Sequence, residues 1–303
     1  MHELETKLCS LRLSNPTVLV AGVRGSSPTV LTAASQHGAG AVTCKSVLVE
    51  ERLGHPNPTF VELENGFLNA IGLSCPPLEE SAALVRDYLG EAPLLVNVAG
   101  FKTADFTQAI EVLDSTNPVM YELNISCPNV EHNIPFSKSP ELTYELVHEV
   151  KKLTRAPVAV KLSPNVNDIT EIAKAAVEAG ANAISAINTV GPGMVIDVKA
   201  RAPILSNRVG GLSGPAIKAV AVRCVYEIYE AIPKDIPIIG IGGVTTATDA
   251  LEMIMAGATA VGVGSAVYYH GFDVFNQISA GLRTFLEEEG IGKIQELVGV
   301  AHE

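Results

Sequence analysis

The chain has 303 residues, 47% of them hydrophobic, and a formal net charge of −12. That material is enough for one large domain with a full core, and the negative charge argues against nucleic acid or an anionic membrane as the main partner, since both select basic surfaces. No apolar run reaches the about 18 residues of a membrane span, and "MHELETKLCSLRLSNP" at the start lacks a signal-peptide core, so a soluble, cytoplasmic protein is expected.

Short Val- and Ile-rich runs alternate with helical patterns along the chain. The expected strand at 16–21 is followed by a helix at 26–38, and the strand at 40–45 by a helix at 77–89. Strands at 92–98 and 118–125 precede helices at 103–115 and 139–153. Strands at 156–162 and 181–188 precede helices at 166–179 and 214–231, and strands at 236–242 and 259–264 precede helices at 245–257 and 271–288. The strand runs are nearly continuous in hydrophobicity rather than alternating, as in parallel strands covered by helices on one face and filled on the other. In the first helix a serine stands at the cap region and a proline near the first turn; Gly257 stops the helix at 245–257. Eight such pairs predict an α/β fold, a (β/α)8 TIM barrel forming a single domain over 1–303, with a doubly wound sheet as the rival. Connections at about 46–75 and 189–213 are long and follow strands. In a barrel both lie at the C-terminal rim, as a lid and a wall of one pocket.

The carboxyl ends of the strands concentrate polar groups: Lys45, Asn97, Asn124 followed by Cys127, Lys161, and Asn188 with Thr189. Charges and amides are rare inside a barrel unless used or paired. The last two strands run into "GIGGV" and "GVGSA", where Gly242, Gly243, Gly264 and Ser265 precede helices. Glycines let backbone N–H groups approach an anion, and the loops after strands seven and eight are the usual phosphate site of a barrel. Tight-turn glycines are the plainer reading of either segment alone; the pair at that strand position points to a phosphate. Either lysine alone could snorkel to solvent, but two at one rim beside amides suit an anionic ligand or a flavin. The asparagines supply donors and acceptors for an amide-bearing heterocycle.

The five cysteines, Cys9, Cys44, Cys75, Cys127 and Cys224, are scattered without a C-x-x-C pair, so no disulfide framework, zinc site or iron–sulfur site is indicated. Four read as small buried hydrophobes. Cys127 differs: it follows a strand end, precedes Pro128 and lies between Asn124 and Asn129. With no histidine just upstream, it reads as a proton acceptor rather than an attacking group, its reference pKa being about 8.5.

The segments "NPTVLVAG" (15–22), "TCKSV" (43–47), "NGFLNAIGL" (65–73), "ELNISCPNV" (122–130), "VKLSPNVNDI" (160–169), "INTVGPG" (187–193), "GGLSGPAIK" (210–218), "IIGIGGV" (238–244) and "VGVGSA" (261–266) follow one another over nearly the whole chain. In them the chain resembles dihydroorotate dehydrogenases of the cytosolic class. The resemblance implies FMN at the barrel rim and oxidation of dihydroorotate to orotate in pyrimidine synthesis, with Cys127 as the base that removes the C5 proton and flavin N5 as hydride acceptor. It implies that Lys45 contacts flavin and substrate, and that Asn69, Gly72, Leu73, Asn124, Asn129, Asn188 and Thr189 hold orotate. Ala21, Ser46, Asn97, Asn124, Lys161, Ile187, Gly214, Gly242, Gly243, Gly264 and Ser265 would hold FMN, and no metal is implied. "KLSPNVNDI" and "GGLSGPAIK" are most similar to the NAD-linked two-subunit class, which implies a homodimeric core and a partner subunit carrying FAD and a [2Fe–2S] cluster. Two departures stand out: "VEHNIPF" (130–136) lacks the glycine pair usual after the cysteine, and Ala21 replaces a common serine. The competing readings are a flavin-dependent pyrimidine-base reductase, a flavin-free barrel lyase or isomerase for a sugar phosphate, and an inactive scaffold barrel.

Overall fold

The computed structural model describes residues 3–126 and 136–303. Eight parallel strands close into a barrel in chain order. We number them β1 (Thr17–Leu19), β2 (Ala41–Thr43), β3 (Leu94–Ala99), β4 (Met120–Asn124), β5 (Val158–Leu162), β6 (Ala183–Ala186), β7 (Ile238–Ile241) and β8 (Ala260–Val263). Outside run α1 (Pro28–Gln36), α2 (Leu78–Arg86), α3 (Thr103–Leu113), α4 (Pro140–Leu153), α5 (Ile169–Glu178), α6 (Lys218–Ala231) and α7 (Ala247–Met255). A short α8 (Ala266–His270) precedes the final α9 (Asp273–Glu288). The eight expected strands and eight expected helices are all present; α8 is the addition.

Local chemistry sets the helix ends. Asp168 starts α5 by accepting from Thr170 N at 2.8 Å, and the helix buries Ile169, Ile172, Ala173 and Ala176, one face at helical spacing. Ser27 stands at the start of α1 but makes no side-chain cap bond, so Pro28 in the first turn sets that end. At α7, Thr246 and Asp249 form a reciprocal capping box. Asp249 Oδ2 accepts from Thr245 N, Thr246 N and both threonine hydroxyls at 2.7–3.0 Å, and Oδ1 meets Lys218 Nζ at 2.8 Å.

The barrel interior is layered. Alternate strand residues face inward, and near the bottom Val18, Ala41, Leu95, Met120, Ala159, Ala183, Ile239 and Ala260 form one apolar cluster. An N-terminal hairpin, Thr6–Leu8 with Leu11–Leu13, adds the fully buried Leu8 and Leu13 to this cluster. Sequence reading did not anticipate the hairpin, because three-residue strands carry too little pattern.

At the C-terminal rim the two long connections, expected as lid and wall, join into one antiparallel sheet. Its order is Val190–Gly193, Gly210–Ser213, Gly66–Asn69, Phe60–Leu63. Gly211 pairs with Asn69 and Ser213 with Phe67 across the central pair. Phe67 stacks on Phe60 at 4.8 Å and on Tyr269 at 5.2 Å, which ties the sheet to α8.

Asp249 yields a prediction. Burial opposes its charge, but hydrogen bonds from Lys218, Thr245 and Thr246 outweigh burial and hold the carboxyl well below the usual carboxylate range. Its contribution is therefore complete at neutral pH and is lost as pH falls below the unfolded-state value of about 4. Asp249→Asn is expected to cost about 2 kcal/mol at pH 7. Urea unfolding should show that gap narrowing steadily below pH 4.

Candidate active site

Above the apolar layer the same inward alternation brings up polar side chains. Two residues beyond Leu95, Met120, Ala159 and Ala183 stand Asn97, Glu122, Lys161 and Ser185, all buried. Parallel register sets Asn97 against Glu122, and Lys161 against Ser185. Asn97 Nδ2 donates to Glu122 Oε1 at 2.6 Å and Ser185 Oγ donates to Oε2 at 2.7 Å. Lys161 Nζ lies 4.0 Å from Oε1. Asn97 Oδ1 is buried and has no hydrogen-bond partner among the described residues, an arrangement that suits a ligand or water as its partner.

The next turn outward holds a second cluster. Asn188 Nδ2 donates to Ser126 Oγ at 2.6 Å, and Ser126 Oγ donates to Asn124 Oδ1 at 3.0 Å. Asn124 Nδ2 reaches Ser46 Oγ at 3.3 Å. Thr189 N donates to Asn188 Oδ1 at 2.8 Å, so the amides of Asn124 and Asn188 are held from both ends. Asn165 secures the adjoining strand: its Nδ2 donates to Thr189 O and its Oδ1 accepts from Gly191 N.

Lys45 extends from the end of β2 and donates to Ser74 Oγ at 2.7 Å. Burial pushes its pKa down, with nearby Cys75 opposing the shift. Asn69, on the rim sheet, donates to Gly211 O at 3.4 Å. Leu73 has a left-handed φ of 54°, next to Gly72 at 79°. That conformation costs a branched residue roughly 1–2 kcal/mol, and such strain tends to persist where a site fixes the backbone. Leu73 packs with Leu48, Cys75, Ala99 and Phe101.

The glycine segments stand where expected, with a different local cause. Gly242 and Gly243 have φ of 135° and 74°, and a Cβ on them would come within 2.7 Å of Ala221 and 2.6 Å of Lys218. The backbone there is fitted against α6. The amides of Thr245 and Thr246, just before α7, donate to Asp249, whose carboxylate caps that helix start. A phosphate at this rim would rest on the loops 242–244 and 264–265. Ala21 and Ile187 are buried at the ends of β1 and β6. Gly214, at φ 97°, follows the rim-sheet strand Gly210–Ser213 and lies close against Gly66 of that sheet.

Cys127 and Asn129 lie outside the described residues. The other four thiols are held protonated mainly by burial: Cys9 is pushed up to about 11, Cys44 to about 12, and Cys75 and Cys224 also upward. Sequence reasoning missed Glu122, Ser185, Ser126, Ser74 and Asn165. The first two were within reach, because each stands two residues from an inward-facing position already singled out.

The residues fit a flavin. A flavin ring carries one N–H between two carbonyls, and the rim offers a buried acceptor without a partner among the described residues, Asn97 Oδ1, together with a buried cation, Lys161. The profile of the family "Dihydroorotate dehydrogenase" matches residues 3–286. The chain is 46% identical over 302 residues to the dihydroorotate dehydrogenase B (NAD(+)) catalytic subunit of Methanothermobacter thermautotrophicus, covering 99% of each chain. It is 42% identical over 306 residues to the same-named subunit of Methanocaldococcus jannaschii, covering 99% of this chain and 98% of that one. A solved structure of Eimeria tenella DHODH in complex with ferulenol shares the fold at a TM-score of 0.84 and 22% identity, covering 99% of this chain and 89% of that one. The chain belongs to the dihydroorotate dehydrogenase family.

Gly66 tests how far the rim sheet is a unit of its own. At φ 150° its Cβ would lie 2.1 Å from Ser213 O, so Gly66→Ala must separate the two central strands. Hydrogen exchange of amides 66–69 and 210–213 is expected to speed up at least about tenfold, the effect of a local loss of about 1.4 kcal/mol. Protection in β3 to β6 should not change.

Proposed function

We propose that this chain is a single FMN-binding barrel domain, residues 1–303, serving as the catalytic subunit of an NAD-linked dihydroorotate dehydrogenase. The observation that carries this reading is the convergence, at one barrel rim, of two lysines and a braced asparagine set in a chain of this family. The reaction removes two hydrogens from dihydroorotate to give orotate, in pyrimidine synthesis. Nothing in the site favours a pyrimidine-base reductase or a flavin-free lyase over it.

Each residue has a definite task in this proposal. Lys45, partly desolvated and cationic, holds the anionic substrate. Asn124 and Asn188, braced through Ser126, present fixed donors and acceptors to the pyrimidine ring, with Asn69, Gly72, Leu73, Asn129 and Thr189 completing the pocket. Asn97, Asn124 and Lys161 face the ring of FMN, together with Ala21, Ser46 and Ile187; Gly214 and the loops holding Gly242, Gly243, Gly264 and Ser265 receive its ribityl phosphate end. Held by these residues, a flavin would supply the acceptor for the hydride that leaves substrate C6. Cys127, as thiolate, takes the proton from C5, so the two hydrogens leave as hydride and proton.

The electrons must then pass on. The chain has no clustered cysteines and no dinucleotide motif after its first strand. A homodimeric core with a second subunit carrying FAD and a [2Fe–2S] cluster meets this need, in keeping with the words "catalytic subunit" and "NAD(+)" in the relatives' names. No helix among the described residues is long and apolar enough to cross a membrane.

Two experiments test the proposal. Acid-released cofactor from the purified yellow protein should run as FMN; a colourless protein that takes up no added FMN would refute the reading. In anaerobic stopped-flow, Cys127→Ala is expected to slow flavin bleaching by dihydroorotate about 10²–10⁴-fold at neutral pH while orotate still binds. Cys127→Ser should fall between and recover as pH rises, a hydroxyl being the poorer base. An unimpaired alanine variant would end the proton-acceptor role.

A further inference from the structure

Among the described residues only two carboxylates are buried, Glu122 and Asp249. The α7 cap and Lys218 account for Asp249; Glu122 has no role in capping any helix. It stands in the middle of β4, inside the barrel, directly above the apolar layer. Taking a carboxylate to such a place costs several kcal/mol unless each oxygen is satisfied.

How those oxygens are satisfied is informative. Oε1 accepts from Asn97 Nδ2 at 2.6 Å and Oε2 from Ser185 Oγ at 2.7 Å, both neutral donors. Lys161 Nζ, at 4.0 Å, balances the charge without spending a hydrogen bond on it. An ionised carboxylate only accepts, so it forces the Asn97 amide to turn its NH2 inward. Asn97 Oδ1 is thereby left as a buried acceptor with no partner among the described residues. The cluster thus leaves over one cation and one acceptor, complementary to the carbonyl and N–H edge of a flavin.

We infer that Glu122 is a positioning residue that locks Asn97 as a hydrogen-bond acceptor and counterbalances Lys161, and so sets both the affinity for flavin and the potential of the bound flavin. This rests on the flavin reading above. Flavin gains negative charge at this edge on reduction, and an unbalanced lysine there favours the reduced state. The buried carboxylate therefore keeps the potential low, a setting suited to passing electrons onward.

The test is an anaerobic titration of the holoenzyme against a reference dye, with a parallel measurement of FMN affinity. Glu122→Gln is expected to favour the reduced flavin at least tenfold, about 30 mV for a two-electron couple. Glu122→Asp keeps the charge but cannot span both donors. Its potential should stay near that of the parent while FMN binds at least tenfold more weakly. A purely structural Glu122 would lower thermal stability without moving the potential. An unchanged or lowered potential in Glu122→Gln overturns the inference, as does a shift in Glu122→Asp equal to that in Glu122→Gln. Should Glu122→Gln not fold, unweakened FMN binding by Glu122→Asp overturns it alone. A parent protein that binds no flavin refutes the functional reading, and the inference falls with it.

Discussion

A closed barrel of parallel strands has an interior that water does not reach from below, and every second residue of every strand must point into it. Here that constraint meets four polar side chains, Asn97, Glu122, Lys161 and Ser185, one level above a layer of Leu95, Met120, Ala159 and Ala183. Each polar group left without a partner there would cost about 1–3 kcal/mol. The strand register solves most of this by placing donors on both oxygens of Glu122. What it leaves without a partner among the described residues is the oxygen of Asn97, on which the proposed flavin contact rests.

Everything further out depends on that layer being fixed. β4 carries Glu122 inward and, two residues on, Asn124, whose amide is braced through Ser126 to Asn188 on the segment after β6. The rim sheet then closes over the same side, because the connections after β2 and β6 each contribute two of its strands. Asn69 lies in this sheet, and Lys45 reaches Ser74 just beyond it. The candidate substrate contacts therefore come from one sheet and three strand ends, a rigid support for a planar ring.

The barrel was legible in the sequence because each strand and its helix are neighbours along the chain, with apolar runs and caps marking each change of period. The rim sheet was not. Its central strands, Gly66–Asn69 and Gly210–Ser213, are far apart in sequence, and glycine-rich strands such as "GGLS" and "VGPG" show no alternation. Their pairing follows from the closed barrel, which brings the ends of β2 and β6 to one rim. Lys45, Asn97, Asn124, Lys161 and Asn188 were visible as polar residues at strand ends. Glu122 was hidden inside "MYELN", where it reads as one polar residue in a strand until the inward alternation is imposed. The glycine loops after β7 and β8 stood out by composition, but the close packing of Gly242 and Gly243 on α6, and of Gly264 on Val20, is a tertiary fact.

The central claim is that the interior polar layer exists to hold a flavin whose other face meets the substrate. A crystal structure of the protein grown with orotate tests this most directly. The account predicts an isoalloxazine ring against Lys161 with its N–H on Asn97 Oδ1, and orotate between that ring and the sulfur of Cys127. A flavin bound away from Asn97, or orotate out of reach of Cys127, would contradict it.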